Sequence, residues 1–164
     1  MPSTESAAAL LTALKDAGVN FIASLPDRGL LQLVEALIED NELRHVPLSR
    51  EEEGIGICTG AYLTGKRCAL VMQNGGLLNS CNALATTALQ FEIPMLLLVL
   101  YSGALGDRAF PMLGQFTEPV LNGLGIPYHQ LERIEDAPSV IGGALVQAYN
   151  VKKPVAVLLH KQML

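Results

Sequence analysis

Apolar positions follow two alternating rhythms along this chain, one of helical period and one of unbroken strand-length runs. Ala7, Leu10, Leu11 and Leu14 share one face at helical spacing and Gly18 stops the pattern. This predicts a first helix capped by Ser3 or Thr4 and reaching about Ala17. Val19 to Leu25 reads as a buried strand, Pro26-Asp27-Arg28-Gly29 as a turn, and Leu30 to Glu39 as an amphipathic helix. Leu43 to Ser49 is a second strand, Glu51 to Leu63 a helix ended by Thr64-Gly65, and Cys68 to Gln73 a third strand. Leu77 to Leu89 is predicted as a helix, with Gln73-Asn74-Gly75-Gly76 as the turn before it. Pro94 to Tyr101 is apolar throughout, which implies a strand covered on both faces. A longer loop, Ser102 to Leu113, precedes a short helix from Phe116 to Leu124, a brief strand from Tyr128 to Leu131, a helix from Pro138 to Tyr149 and a final strand from Pro154 to His160. Strands alternating with helices in this way predict a three-layer α/β domain, a parallel sheet flanked by helices, spanning residues 1–164 as one unit. In such a sheet, ligands bind beyond the carboxyl ends of the strands.

Composition narrows the function classes. Half of the 164 residues are hydrophobic and only 5% are aromatic, a balance that suits helices packed closely on a sheet. The net charge is −5 with no basic cluster, so nucleic acid is not an expected partner. No apolar stretch reaches membrane-spanning length, and the acids in MPSTESAAALLTALKDAG argue against a signal peptide. Cys58, Cys68 and Cys81 lack metal-type spacing and read as reduced core residues, in keeping with a reducing cytoplasm. His45, His129 and His160 are not placed like an essential base.

The chemistry concentrates between His45 and Asn82, in HVPLSREEEGIGICTGAYLTGKRCALVMQNGGLLNSCN. Two strands here each end in polar or glycine-rich sequence where a helix begins. Glu51, Glu52 and Glu53 open one of these helices, where carboxylates suit the positive end of the dipole. Adjacent helical residues diverge by about 100°, so the three cannot share one role.

HVPLSRE, followed by Gly60 and then by MQNGGLLNSCNALAT, resembles the pyrimidine-binding (PYR) domain of thiamine diphosphate enzymes, most closely the sulfopyruvate and phosphonopyruvate decarboxylases. The resemblance runs over nearly the whole chain, from ALKDAGVNFIASLP to KKPVAVLL. It implies that one glutamate hydrogen-bonds N1′ of the cofactor's aminopyrimidine. An ungapped match puts that role on Glu51, and a one-residue slip at Thr64-Gly65 keeps Glu52 as an alternative. It places Gln73, Asn74, Gly75 and Gly76 beside the cofactor, and Asn74 and Asn79 within reach of substrate or cofactor. Arg28, two residues after Pro26, falls where the wider family faces substrate. A guanidinium there suits a sulfonate, phosphonate or carboxylate. Gly75 stands where Ser is expected and Leu78 where Gly is usual; Ser102-Gly103 replaces an Arg-Gly, a change that Arg108 or Gln115 could compensate.

The family's second (PP) domain, which holds the cofactor's diphosphate through Mg²⁺, has no counterpart here. Leu105-Gly106-Asp107-Arg108 is not its Gly-Asp-Gly motif, so this chain has no metal site to assign. The resemblance therefore implies the α subunit of a split carboxy-lyase that converts 3-sulfopyruvate to sulfoacetaldehyde and CO₂. Activity would require a PP-domain β subunit, with self-association through PYR domains. Phosphonopyruvate decarboxylase and a non-catalytic, partner-binding PYR-like domain are the alternatives. A flavodoxin-like nucleotide domain is disfavoured, because Pro26-Asp27-Arg28-Gly29 is a poor diphosphate cradle.

Overall fold

Among the described residues six strands form: β1 (Phe21–Ser24), β2 (Arg44–Pro47), β3 (Cys68–Gln73), β4 (Met95–Tyr101), β5 (Tyr128–Leu131) and β6 (Pro154–His160). The computed structural model describes residues 4–164, so the Ser3 cap lies outside the described residues. The strands make one all-parallel sheet in the order β2-β1-β3-β4-β6-β5. Every residue of β4 is buried, with Leu97 flanked by Leu70 on one side and Ala156 on the other.

The helices are α1 (Thr4–Asp16), α2 (Leu31–Glu39), α3 (Glu51–Leu63), α4 (Asn74–Asn79), α5 (Cys81–Ala83) continuing into a π turn (Leu84–Leu89), α6 (Pro111–Leu124) and α7 (Ala137–Val151). Strand side chains alternate between two cores. Ile22, Val71, Leu96, Leu98 and Val157 meet α1, α2 and α7 on one face. Ala23, Leu70, Leu97, Val99 and Leu158 meet α3, α4, the π turn and α6 on the other. This is the expected three-layer arrangement. Cys58 and Cys68 are buried thiols in the second core and Cys81 is half-buried.

Several boundaries differ from the sequence expectation. β1 and β2 are shorter, because pairing starts only at Phe21 and Arg44 and ends at Ser24 and Pro47. The turn expected at Asn74-Gly75-Gly76 is instead the first turn of α4, which then breaks at Ser80. Glycine normally weakens a helix, but here a side chain at Gly76 would collide with Glu51, so close packing decides. The helix expected from Phe116 starts at Pro111, whose ring suits the first helical position. Gly114 lies inside it because a Cβ there would come 1.9 Å from the Gly103 carbonyl oxygen.

Candidate functional site

The chain leaves β1 for α2 on one face of the sheet and leaves β3 for α4 on the other. The two connections part and a crevice opens between the carboxyl ends of the strands, the place where open parallel sheets bind ligands. A cavity of about 650 Å³ lies there, walled by Asp27 and Arg28, by Gln73, by Leu100 and Phe110, and by Lys161. Asp27 organises one wall: it accepts hydrogen bonds from the Gly29 amide at 2.7 Å and from Gln73 Nε2 at 3.1 Å. Arg28 is exposed, and among the described residues its guanidinium makes no ion pair or hydrogen bond. Arg108, Gln115 and Asn79 are exposed and do not line this cavity.

The three glutamates of α3 separate clearly. Glu53 closes the helix end, accepting the Ser49 and Arg50 amides at 3.2 Å each. Glu52 pairs with the Arg50 guanidinium at 3.1 Å. Glu51 is half-buried, and its carboxylate makes no hydrogen bond or ion pair among the described residues. It lies against Gly76: a Cβ built on that glycine would come within 2.3 Å of Glu51 Cγ and 2.4 Å of its Oε1. The first turns of α3 and α4 thus meet at one free carboxylate and one missing side chain. Gly75, beside it, has Gln73 Oε1 3.2 Å from where its Cβ would be.

Asn74 does not fit its expected role as a direct side-chain ligand. The side chain is fully buried. Its Nδ2 donates to the Ser102 carbonyl at 2.8 Å and to Thr117 Oγ1 at 2.9 Å, and its Oδ1 accepts the Ser102 amide at 3.3 Å. The amide therefore ties the end of β3 to the end of β4 and to α6. A buried amide finds partners where the fold brings them, and these partners are remote in sequence. Asn74→Ala strands the groups it served and should cost about 2–3 kcal/mol. We expect melting to fall by roughly 5–10 °C, read by circular dichroism; an unchanged midpoint would refute this tie.

The loop 102–110 covers this edge of the sheet and turns on Asp107. Its carboxylate accepts Lys161 Nζ at 2.6 Å and the Gly103 and Ala109 amides at 2.9 Å each. These bonds, the lysine first, hold its pKa down at about 2. A second polar group lies further along the same edge. Glu118 accepts from Tyr101 at 3.1 Å, from Tyr128 at 2.9 Å and from Gln130 at 2.8 Å, and Gln130 in turn meets His160 at 2.8 Å. Burial, with Glu118 beside it, raises the Tyr101 pKa to about 12. Neither the Asp107–Lys161 pair nor the Glu118 group was legible in the sequence, since each joins separate elements with no motif between them.

His45 has a structural partner, Ser24 Oγ, 2.8 Å from its Nε2. Burial lowers its pKa from the ordinary 6.5. The unfolded chain therefore takes up a proton first as pH falls. His45's contribution to stability is complete above about pH 6.5 and declines as pH drops toward the lowered folded value. Urea unfolding at pH 5.5 and 7.5 should show this loss, and His45→Gln should reduce it; an equal pH dependence in both proteins would refute it.

The chain is similar to several known proteins. A family described as "Thiamine pyrophosphate enzyme, N-terminal TPP binding domain" matches residues 4–121. The chain is 40% identical over 154 residues to sulfopyruvate decarboxylase subunit alpha of Methanococcus maripaludis, covering 92% of each chain. It is 39% identical over 153 residues to the same subunit of Methanocaldococcus jannaschii, covering 92% of this chain and 90% of that one. Phosphonopyruvate decarboxylase of Streptomyces viridochromogenes is 29% identical over 119 residues, 71% of this chain and 30% of the relative. Among solved structures, 2-oxoglutarate:ferredoxin oxidoreductase from Magnetococcus marinus superposes with a TM-score of 0.76 at 16% identity, over 99% of this chain and 29% of that one, a likeness of fold. Among the described residues no helix is long and apolar enough to cross a membrane.

Proposed function

The chain belongs to the thiamine pyrophosphate enzymes, as an N-terminal TPP-binding domain, and we propose that it acts as the alpha subunit of a cytoplasmic decarboxylase of 3-sulfopyruvate. The observation that carries this reading is the 40% identity to a sulfopyruvate decarboxylase alpha subunit along nearly the full length of both chains. Phosphonopyruvate is the second reading, supported by the more distant Streptomyces relative. Both substrates are small 2-oxo acids with a second anionic group, so the recognition problem is the same.

The residues on this chain fit the cofactor's pyrimidine side. Glu51 offers a half-buried carboxylate with no partner among the described residues, and Gly76 leaves bare backbone beside it. An acceptor so placed suits a ring nitrogen, N1′, that must share a proton. Gln73, Gly75 and Gly76 would form the adjoining wall. When bound, thiamine diphosphate supplies the electron sink for the pair released as CO₂ departs. Glu51 would hold the proton shared with N1′ and so set the ring's protonation state. Arg28, a cation on the crevice wall with no partner among the described residues, would bind the substrate's sulfonate, and the apolar Leu100 and Phe110 would limit water there.

The diphosphate and Mg²⁺ are assigned to a PP-domain beta subunit. Leu105, Phe110, Met112 and Phe116 stand exposed along the loop and the start of α6, an apolar surface that supports docking of such a partner beside the crevice. Pairing of two copies of this chain through their PYR domains belongs to the same proposal.

The test is reconstitution. The chain is mixed with the PP-domain protein encoded nearest to it, thiamine diphosphate and Mg²⁺, and offered 3-sulfopyruvate, phosphonopyruvate and pyruvate. We expect CO₂ release only from the mixture, with sulfopyruvate preferred. A stable complex that turns over none of the three would reject the reading.

A further inference from the structure

We infer that Lys161 is a second cationic contact for the anionic substrate, acting with Arg28 in the same cavity; this rests on the decarboxylase reading above. Arg28 enters the cavity from the connection after β1, and Lys161 from the residue that follows β6. The one carboxylate on this wall, Asp27, is already engaged by the Gly29 amide and Gln73. The lining carries two cations and one carboxylate; Asp107, which does not line the cavity, pairs with Lys161, so an anionic occupant would meet Arg28 and share the Lys161 ammonium with Asp107.

Lys161 is held ready rather than neutralised out of use. An ammonium has three N–H donors, and the structure shows one of them spent, on Asp107 Oδ2 at 2.6 Å. The side chain remains 34% exposed, so the other two donors can meet a ligand. Asp107 also accepts the Gly103 and Ala109 amides, which fix the carboxylate and, through it, the ammonium. A charge positioned before the ligand arrives costs little reorganisation on binding. A 2-oxo acid with a carboxylate at one end and a sulfonate at the other carries two anionic groups, and two cations from separate walls answer that pattern. Arginine can take a group bidentately, while lysine meets the other as a point charge.

A rival role exists for the same atoms: Lys161 could serve only to tether the loop 102–110 through Asp107. Two substitutions separate the roles. Lys161→Met removes both the charge and the tether, whereas Asp107→Asn loosens the tether and leaves the ammonium. In the reconstituted enzyme we expect Lys161→Met to raise KM for sulfopyruvate on the order of tenfold with kcat within about threefold of the parent. Lys161→Arg should restore most of the loss, and Asp107→Asn, which frees the ammonium from its tether but keeps its charge, should raise KM by no more than about threefold. Calorimetric binding of sulfoacetate, an unreactive dianion, to the same complexes should follow the same order. Equal losses in Lys161→Met and Asp107→Asn would reduce the lysine to a tether and overturn the inference. An unchanged KM and sulfoacetate affinity in Lys161→Met would overturn it too. If Lys161→Met melts early, Lys161→Gln replaces it in the same comparison. Failure of the unsubstituted complex to turn over sulfopyruvate would instead count against the decarboxylase reading, and sulfoacetate binding would then decide on Lys161 alone.

Discussion

Glu51→Gln should lower kcat for decarboxylation by the reconstituted enzyme on the order of a thousandfold, the scale of a lost proton-transfer group. The fold and the complex should stay intact. Glutamine has the same shape, so it can occupy the half-buried seat against Gly76. It cannot carry the negative charge or hold a shared proton. No internal bond is broken, because the Glu51 carboxylate makes none among the described residues. The control lies one residue on. Glu52→Gln removes an exposed pair with Arg50, a contact worth under about 1 kcal/mol, and should leave turnover near the parental rate. Steady-state rates and melting curves of the two variants decide the matter. Retained activity in Glu51→Gln, or loss only in Glu52→Gln, would move the role to the neighbouring carboxylate.

Gly76→Ala is expected to separate stability from activity. The new methyl would lie 2.3–2.4 Å from Cγ, Cδ and Oε1 of Glu51, closer than any real contact, so the carboxylate must swing away. Misplacing a catalytic group by about 1 Å can cost a hundredfold in rate, and we expect kcat/KM to fall on that order. Stability should hardly change, since alanine is a better helix former than glycine by roughly 1 kcal/mol and the displaced side chain is flexible. Gly75→Ala should be milder, with its Cβ 3.2 Å from Gln73 Oε1 and 3.5 Å from Leu113. A Gly76→Ala enzyme of full activity would show that the seat of Glu51 on α4 has no functional weight. A collapse in melting temperature would show that the position is structural first.

Much of this protein was legible from local pattern. The bounds of α3, β3, β5 and β6 follow directly from where apolar runs meet Glu51, Thr64, Gln73 and His160. Helix and strand periodicities are properties of neighbouring residues, and burial on both faces of a parallel sheet leaves β4 with no polar position to misread. The resemblance carried by HVPLSRE and MQNGGLLNSCNALAT was likewise legible, and the family comparison agrees with it.

The structure decided what depends on contacts between distant segments. Glycines at Gly75 and Gly76 read as a turn, but they join α4 because the start of α3 packs where a side chain would be. Asn74 read as a ligand, but its amide is consumed by Ser102 and Thr117. Which of three consecutive glutamates is free depends on Arg50, Ser49 and Gly76 together, and the placing of Lys161 beside Arg28 depends on the order of strands in the sheet. Periodicity sets which residues turn inward and what elements they build. Which of them meet is determined by packing, since hydrogen bonds and close contacts are made between surfaces that the chain brings together only when the sheet is complete.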